Sequence, residues 1–153
     1  MALAQLERGN VPLRSLVRRF RMTWDHEKSA RRSQLSVVRD KPLATVSPPI
    51  QAALDHIVEN YRWHISLDDL ASIAAMSKFH FLRRFSEEVG MPPGALLRRC
   101  RLSQAMKLLS GTQYEVRDVA EKVGYRSAAS FSRAFHEVVG TQPTVYRRRV
   151  SPV

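Results

Sequence analysis

The feature that most constrains this chain is an internal repeat. Setting LASIAAMSKFHFLRRFSEEVGMPP beside VAEKVGYRSAASFSRAFHEVVGTQP pairs Ala71 with Ala120, Phe81 with Phe131, Arg83 with Arg133, Phe85 with Phe135, Val89 with Val139, Gly90 with Gly140 and Pro93 with Pro143. The alanines lie 49 positions apart and the other pairs 50, so the second copy holds one extra residue in its turn. Self-similarity at a fixed period marks one supersecondary unit used twice. Each copy reads as a helix, a tight turn and a second helix. Helices that cross steeply need a small residue where their backbones approach, here Ala71 and Ala120. Phe81 and Phe85, like Phe131 and Phe135, are four apart and share a helix face, which locks the second helix onto a core. Gly124 stands at the second turn, where a positive φ is useful. Ala75 holds the matching place in the first copy and predicts either an ordinary turn conformation or some strain.

Helical signals continue on both sides of the repeat and no alternating strand interrupts them, so the fold class is all-α. The spacing of Leu54, Ile57, Val58 and Tyr61 predicts a helix over Ile50 to Trp63. Ser66 then caps a helix from Leu67 to Ala75 that carries Asp68 and Asp69 in its first turn. Ser77 starts the next helix and Gly90 stops it. Pro92 and Pro93 suit the first turn of a long linking helix to about Ser110, with Gly111 marking its end. Further helices are predicted near Glu115 to Val123, near Ala128 to Val139 and after Pro143. The two helix-turn-helix units therefore fall at about 67–90 and about 115–140 of a domain over 49–150.

Upstream, Ser47-Pro48-Pro49 reads as a boundary, with a linker over about 35–48. Leu13, Leu16, Val17 and Phe20 recur at helical spacing among Arg14, Arg18, Arg19 and Arg21, which predicts a short basic amphipathic helix in a 1–48 extension. It either rests its apolar stripe on the main domain or meets DNA, a second chain or a membrane surface. Residues 1–48 hold ten Lys or Arg and four Asp or Glu, so +6 of the formal net charge of +11 lies there.

That net charge, with a pI of about 10.8, has the sign expected of a partner for phosphates or an anionic surface. A hydrophobic share of 44% in 153 residues supports one domain with an appendage and argues against disorder. Cys100, the single cysteine, excludes an internal disulfide and a cysteine zinc site, fits a reducing cytoplasm, and is expected to face the interior of the linking helix. His26, His56, His64, His80 and His136 show no ligand spacing, so neither metal nor cofactor is expected. No stretch approaches the roughly 20 apolar residues that span a bilayer. Glu7, Arg8, Arg14, Arg18 and Arg19 interrupt any signal-peptide core, so a cytoplasmic location is expected.

With the phenylalanines turned inward, Lys78, Leu82, Arg83 and Arg84 of the first copy and Ala129, Ser132 and Arg133 of the second are left nearer the outer face. The repeat, the connector PGALLRRCRLSQAMKLL over 93–109 and the closing segment GTQPTVYR over 140–147 together resemble the DNA-binding domain of the AraC/XylS family. The resemblance covers roughly residues 50–149. It departs at Ala75, where a turn glycine is more common, and at Leu82, where a polar base-reading residue is frequent. It implies a bacterial transcription regulator without enzymatic activity, usually an activator that contacts RNA polymerase. It implies two homeodomain-like helix-turn-helix subdomains, bound as a monomer to an asymmetric site in double-stranded DNA.

A linking helix of about 18 residues would be about 27 Å long, comparable with the roughly 34 Å of one DNA turn, so two recognition helices can enter successive major grooves. Arg83 and Arg133 hold equivalent outer positions, and an arginine there can grip guanine O6 and N7; solvated ion pairing is the alternative. Phe79 and Leu82 offer apolar contact to thymine methyls or plain packing, Ser132 a bond to a base edge or phosphate, and Ala129 belongs to the same base-reading set. Lys78, His80, Arg84 and Arg126 are expected at phosphates. Arg147, Arg148 and Arg149 are either a charged end or added backbone affinity.

Two rival functions remain on the sequence. Similar domains are fused to alkylated-DNA repair enzymes that use several cysteines, which the single Cys100 argues against. The other rival is an interaction module that modulates RNA polymerase or another regulator without specific DNA reading.

Overall fold

The computed structural model describes residues 46–150, and among them every regular element is a helix. In chain order these are α1 (Pro48–Asn60), α2 (Leu67–Ile73), α3 (Lys78–Val89), α4 (Pro93–Gly111), α5 (Val116–Lys122), α6 (Ala128–Val139) and α7 (Pro143–Val150). The basic helix expected around Leu13 to Arg21 and most of the expected linker lie outside the described residues.

Local chemistry sets most of the ends. Ser66 and Asp69 form a reciprocal capping box at α2: the Asp69 N–H donates to Ser66 Oγ at 3.1 Å and the Ser66 N–H donates to the Asp69 carboxylate at 2.9 Å. Ser77 and Ser127, equivalent across the repeat, cap α3 and α6 by accepting from the His80 and Ser130 N–H groups. Gly90 and Gly140 close the same two helices in the left-handed conformation, with φ of 86° and 82°.

Three boundaries differ from the sequence reading. Pro48 and Pro49 open α1 instead of holding the chain out of it, because a first-turn proline has no N–H to leave unsatisfied and its φ is already helical. The same helix stops at Asn60, so Trp63 lies in the following turn with 70% of its surface exposed. At the other end of the long helix, Gly111 is still helical and Thr112 provides the stop, its hydroxyl donating to the Leu108 carbonyl at 2.7 Å.

The two copies build two cores of matching design. Phe81 and Phe85 are fully buried with ring centroids 5.4 Å apart, and Phe131 and Phe135 are fully buried at 5.6 Å. Ala71 and Ala120 are buried where the paired helices cross. Helix α4 serves both halves: Leu102, Ala105 and Leu109 enter the second core with Val119, Val123 and the α6 phenylalanines, while Leu96 is buried outside that cluster. Its 19 residues span about 28 Å. Beside them Arg99 is the one buried charged residue among those described, and Cys100 is half-buried, its thiol pushed up to about 11 by burial.

Candidate nucleic-acid interface

Helices α3 and α6 are the second helices of the two units, and burying their phenylalanines fixes which residues face out. On α3, Phe79, His80 and Arg83 are exposed, Phe79 at 84%, an unusual place for a large aromatic ring. On α6, Ala129, Arg133 and His136 are exposed. Ala129 occupies the position of Phe79 and Arg133 that of Arg83. Neither Arg83 nor Arg133 has a side-chain hydrogen bond or ion pair among the described residues, which leaves both guanidinium forks available to a ligand.

The other predicted residues divide. Leu82 and Ser132, again equivalent, are half-buried on the flank of each helix, and Leu82 also lines an apolar recess with Ile65, Leu67, Leu70 and Leu97. Lys78 lies 2.9 Å from Asp68 in an exposed pair between α2 and α3, the kind of pair a phosphate can displace at small cost. Arg126 is exposed in the turn before α6. Arg84 is held more firmly. Its guanidinium meets Glu88 at 2.9–3.0 Å, and the same carboxylate accepts from the Ser47 N–H and hydroxyl, both at 2.8 Å. Burial pushes the Glu88 carboxyl up, but the Ser47 donors and Arg84 together outweigh it and hold the group below its usual value.

One arginine that matters to the arrangement was not singled out from the sequence. Arg101, at the middle of α4, donates from Nε to the Tyr61 carbonyl at 2.7 Å and from an Nη to the Trp63 carbonyl at 2.9 Å. Its guanidinium carbon sits 5.7 Å from the Tyr125 ring centroid. Gly124 completes this junction, because a Cβ built there would come within 2.7 Å of the Arg62 carbonyl oxygen and 3.1 Å of Arg101 Nε. No sequence pattern announces the cluster, since its parts come from three separate stretches of chain.

No helix among the described residues is long and apolar enough to cross a membrane, and no group of three or more His, Cys, Asp or Glu is placed to hold a metal. The family model of a helix-turn-helix domain matches residues 70–149. The HTH-type transcriptional activator AarP of Providencia stuartii is 38% identical over 98 residues, covering 64% of this chain and 73% of its own. An uncharacterized HTH-type transcriptional regulator of Haemophilus influenzae is 40% identical over 89 residues, and there the chain spans 29% of the relative's length. Among solved structures, the C-terminal domain of the Geobacillus stearothermophilus response regulator AraT superposes with a TM-score of 0.68 at 28% identity, over 72% of this chain and 92% of that one. The DNA-binding domain of AdpA, in complex with a target DNA, superposes at 0.64 and 31% identity, over 67% of this chain and 93% of its own. With both helix-turn-helix units, the linking helix and the closing helix all in place, the chain belongs to the AraC/XylS family of helix-turn-helix transcription regulators.

Proposed function

We propose that the chain regulates transcription in the cytoplasm by reading, as a monomer, an asymmetric site of about 20 base pairs, with α3 and α6 in successive major grooves. The observation that carries this reading is the pair Arg83 and Arg133, equivalent across the repeat, exposed, and without an internal partner among the described residues. Each grips a guanine in its own half-site. Phe79 meets a thymine methyl beside Arg83, and Ala129 leaves room at the matching place for a closer approach of α6. Leu82 and Ser132 line the edges of the two readings. Lys78, His80 and Arg126 meet phosphates, whereas Arg84, already compensated by Glu88, contributes less.

The net effect is activation, the role that the name of the AarP relative gives that protein, exerted here through contact with RNA polymerase. The excess positive charge of residues 1–45 adds non-specific affinity. Selection from random duplexes, followed by footprinting and sedimentation of the complex, tests the proposal. An asymmetric footprint with one chain bound is expected; a strict palindrome with two chains overturns the monomer, and no selected sequence at all returns the chain to the interaction-module reading. Deleting residues 1–45 is expected to make the salt slope of binding shallower by roughly 0.9 per lost phosphate contact while the preferred sequence stays the same.

A further inference from the structure

The long helix alone does not define how the two reading units face each other. A helix that touches both cores through non-directional apolar packing still permits rocking of one core against the other, and directed contacts remove that freedom. The described residues place one cluster of such contacts around Arg101, in addition to the exposed Arg98–Glu137 pair between α4 and α6 at 3.4 Å. Arg101 on α4 holds two carbonyls of the turn between α1 and α2, those of Tyr61 and Trp63, with bonds of 2.7 and 2.9 Å. The other face of the same guanidinium meets the ring of Tyr125, in the turn between α5 and α6, at 5.7 Å. Next to it, the backbone at Gly124 approaches the Arg62 carbonyl so closely that no Cβ fits. One planar group is thus clamped by the non-reading edge of the first unit on one side and by the turn that launches the second recognition helix on the other.

We propose that Arg101 is a positioning residue that fixes the separation and angle between α3 and α6, and with them the single half-site spacing the chain accepts. The proposal rests on the two-groove reading above for its consequence on DNA, but not for its consequence on the protein. Arginine suits the task where lysine would not: its rigid fork engages two carbonyls in one plane while leaving a flat face for the ring. A base pair inserted between the half-sites moves one of them by about 3.4 Å along the axis and about a tenth of a turn around it. A rigid pair of reading units cannot follow that shift without losing contacts on one side.

The test uses the full chain and its selected site, with one base pair added or removed between the half-sites. The native protein is expected to lose about tenfold or more in affinity on either altered site, the size of a lost base contact. Arg101→Lys and Arg101→Leu are expected to bind the native spacing more weakly and to discriminate against the altered spacings by less than about threefold. In parallel, spin labels on Glu87→Cys and His136→Cys in a Cys100→Ala background report the α3 to α6 distance without DNA. The native distribution is expected to be narrow and the variants broad. Tyr125→Leu leaves the two carbonyl bonds of Arg101 in place and removes the second-unit side of the clamp together with the ring's edge contact to Phe131 at 5.5 Å, and it replaces the Arg101 variants if these do not fold. Folded variants that keep both the native spacing preference and the narrow distribution overturn the proposal. If the native chain selects no sequence, the DNA reading fails instead, and the distance distributions alone decide the role of Arg101.

Discussion

The two helix-turn-helix units share a backbone plan and differ in what holds each in place. The first turn contains Ala75 at φ 52°, the one non-glycine residue with positive φ among those described; the second contains Gly124 at φ 96°. The reason lies in what each turn faces. Ala75 is exposed, so its methyl group has room and the only penalty is the left-handed backbone, whereas Gly124 is pressed against the Arg62 carbonyl and has room for no side chain. The units differ again at the last residue but one of the recognition helix. Glu88 of the first ties Ser47 and Arg84 together, and its counterpart Val138 packs against the second core. A repeat therefore keeps its fold while each copy adapts to its own neighbours.

The largest expected effect breaks the second unit alone. Gly124→Ala adds a left-handed penalty of about 1–2 kcal/mol to an overpacking penalty of about 1–3 kcal/mol, so a loss of about 2–5 kcal/mol is expected in denaturant unfolding. A change below about 1 kcal/mol would mean that the two turns tolerate side chains equally and that the contrast drawn here is wrong.

The recognition helices provide the next test. Arg83→Ala and Arg133→Ala are each expected to weaken specific binding by about 1–3 kcal/mol and to relax base preference in opposite halves of one site. Competition binding against a library of single-base variants measures both. Equal weakening on all sequences would assign both arginines to phosphates and remove the base-reading role.

What was legible in the sequence follows from range along the chain. Caps at Ser66, Ser77 and Ser127 and stops at Gly90 and Gly140 depend on residues a few positions away, and the outward direction of Arg83 and Arg133 follows from helical periodicity once the phenylalanines are placed inside. Ser47 and Glu88 meet across 41 positions, and Arg101 reaches carbonyls 40 and 38 positions upstream, which no local pattern encodes. Arg84 and Glu88 stand four positions apart on one helix, the spacing of an ion pair, which the expectation of Arg84 at a phosphate does not take into account. Pro48 and Pro49 misled for a different reason, since the same residues suit a linker and a first helical turn.

A smaller effect tests the tie that only the first unit possesses. Glu88→Gln keeps the shape but removes the charge from three contacts, and a loss of about 1.5 kcal/mol is expected at neutral pH. The sign with pH follows from the direction of the shift. A carboxyl held below its ordinary value of 4.5 contributes stability that is present above that value and is lost as the pH falls through the lower, folded value. The native chain should therefore lose stability more steeply than Glu88→Gln on acidification from about pH 5 to about pH 3. Parallel curves would show that Glu88 is not held by Ser47 and Arg84 in solution.

The smallest effect has the opposite sign and sharpens the comparison most. Ala75→Gly gives the first turn the residue that the second already has. The left-handed conformation costs an alanine about 1–2 kcal/mol, and glycine removes that strain. Against this, glycine frees the unfolded chain by about 0.4–1 kcal/mol, which subtracts from the gain. The difference runs from about zero to about 1.6 kcal/mol, and a net stabilisation near the middle, about 0.8 kcal/mol, is expected, seen as a rise of a few degrees in Tm. DNA affinity should stay as it was, because Ala75 is exposed in the turn, three residues before the start of α3, and the turn geometry is one glycine adopts freely. A destabilised variant would show that the alanine turn is not strained, leaving the Arg62 contact at Gly124 as the whole difference between the two units.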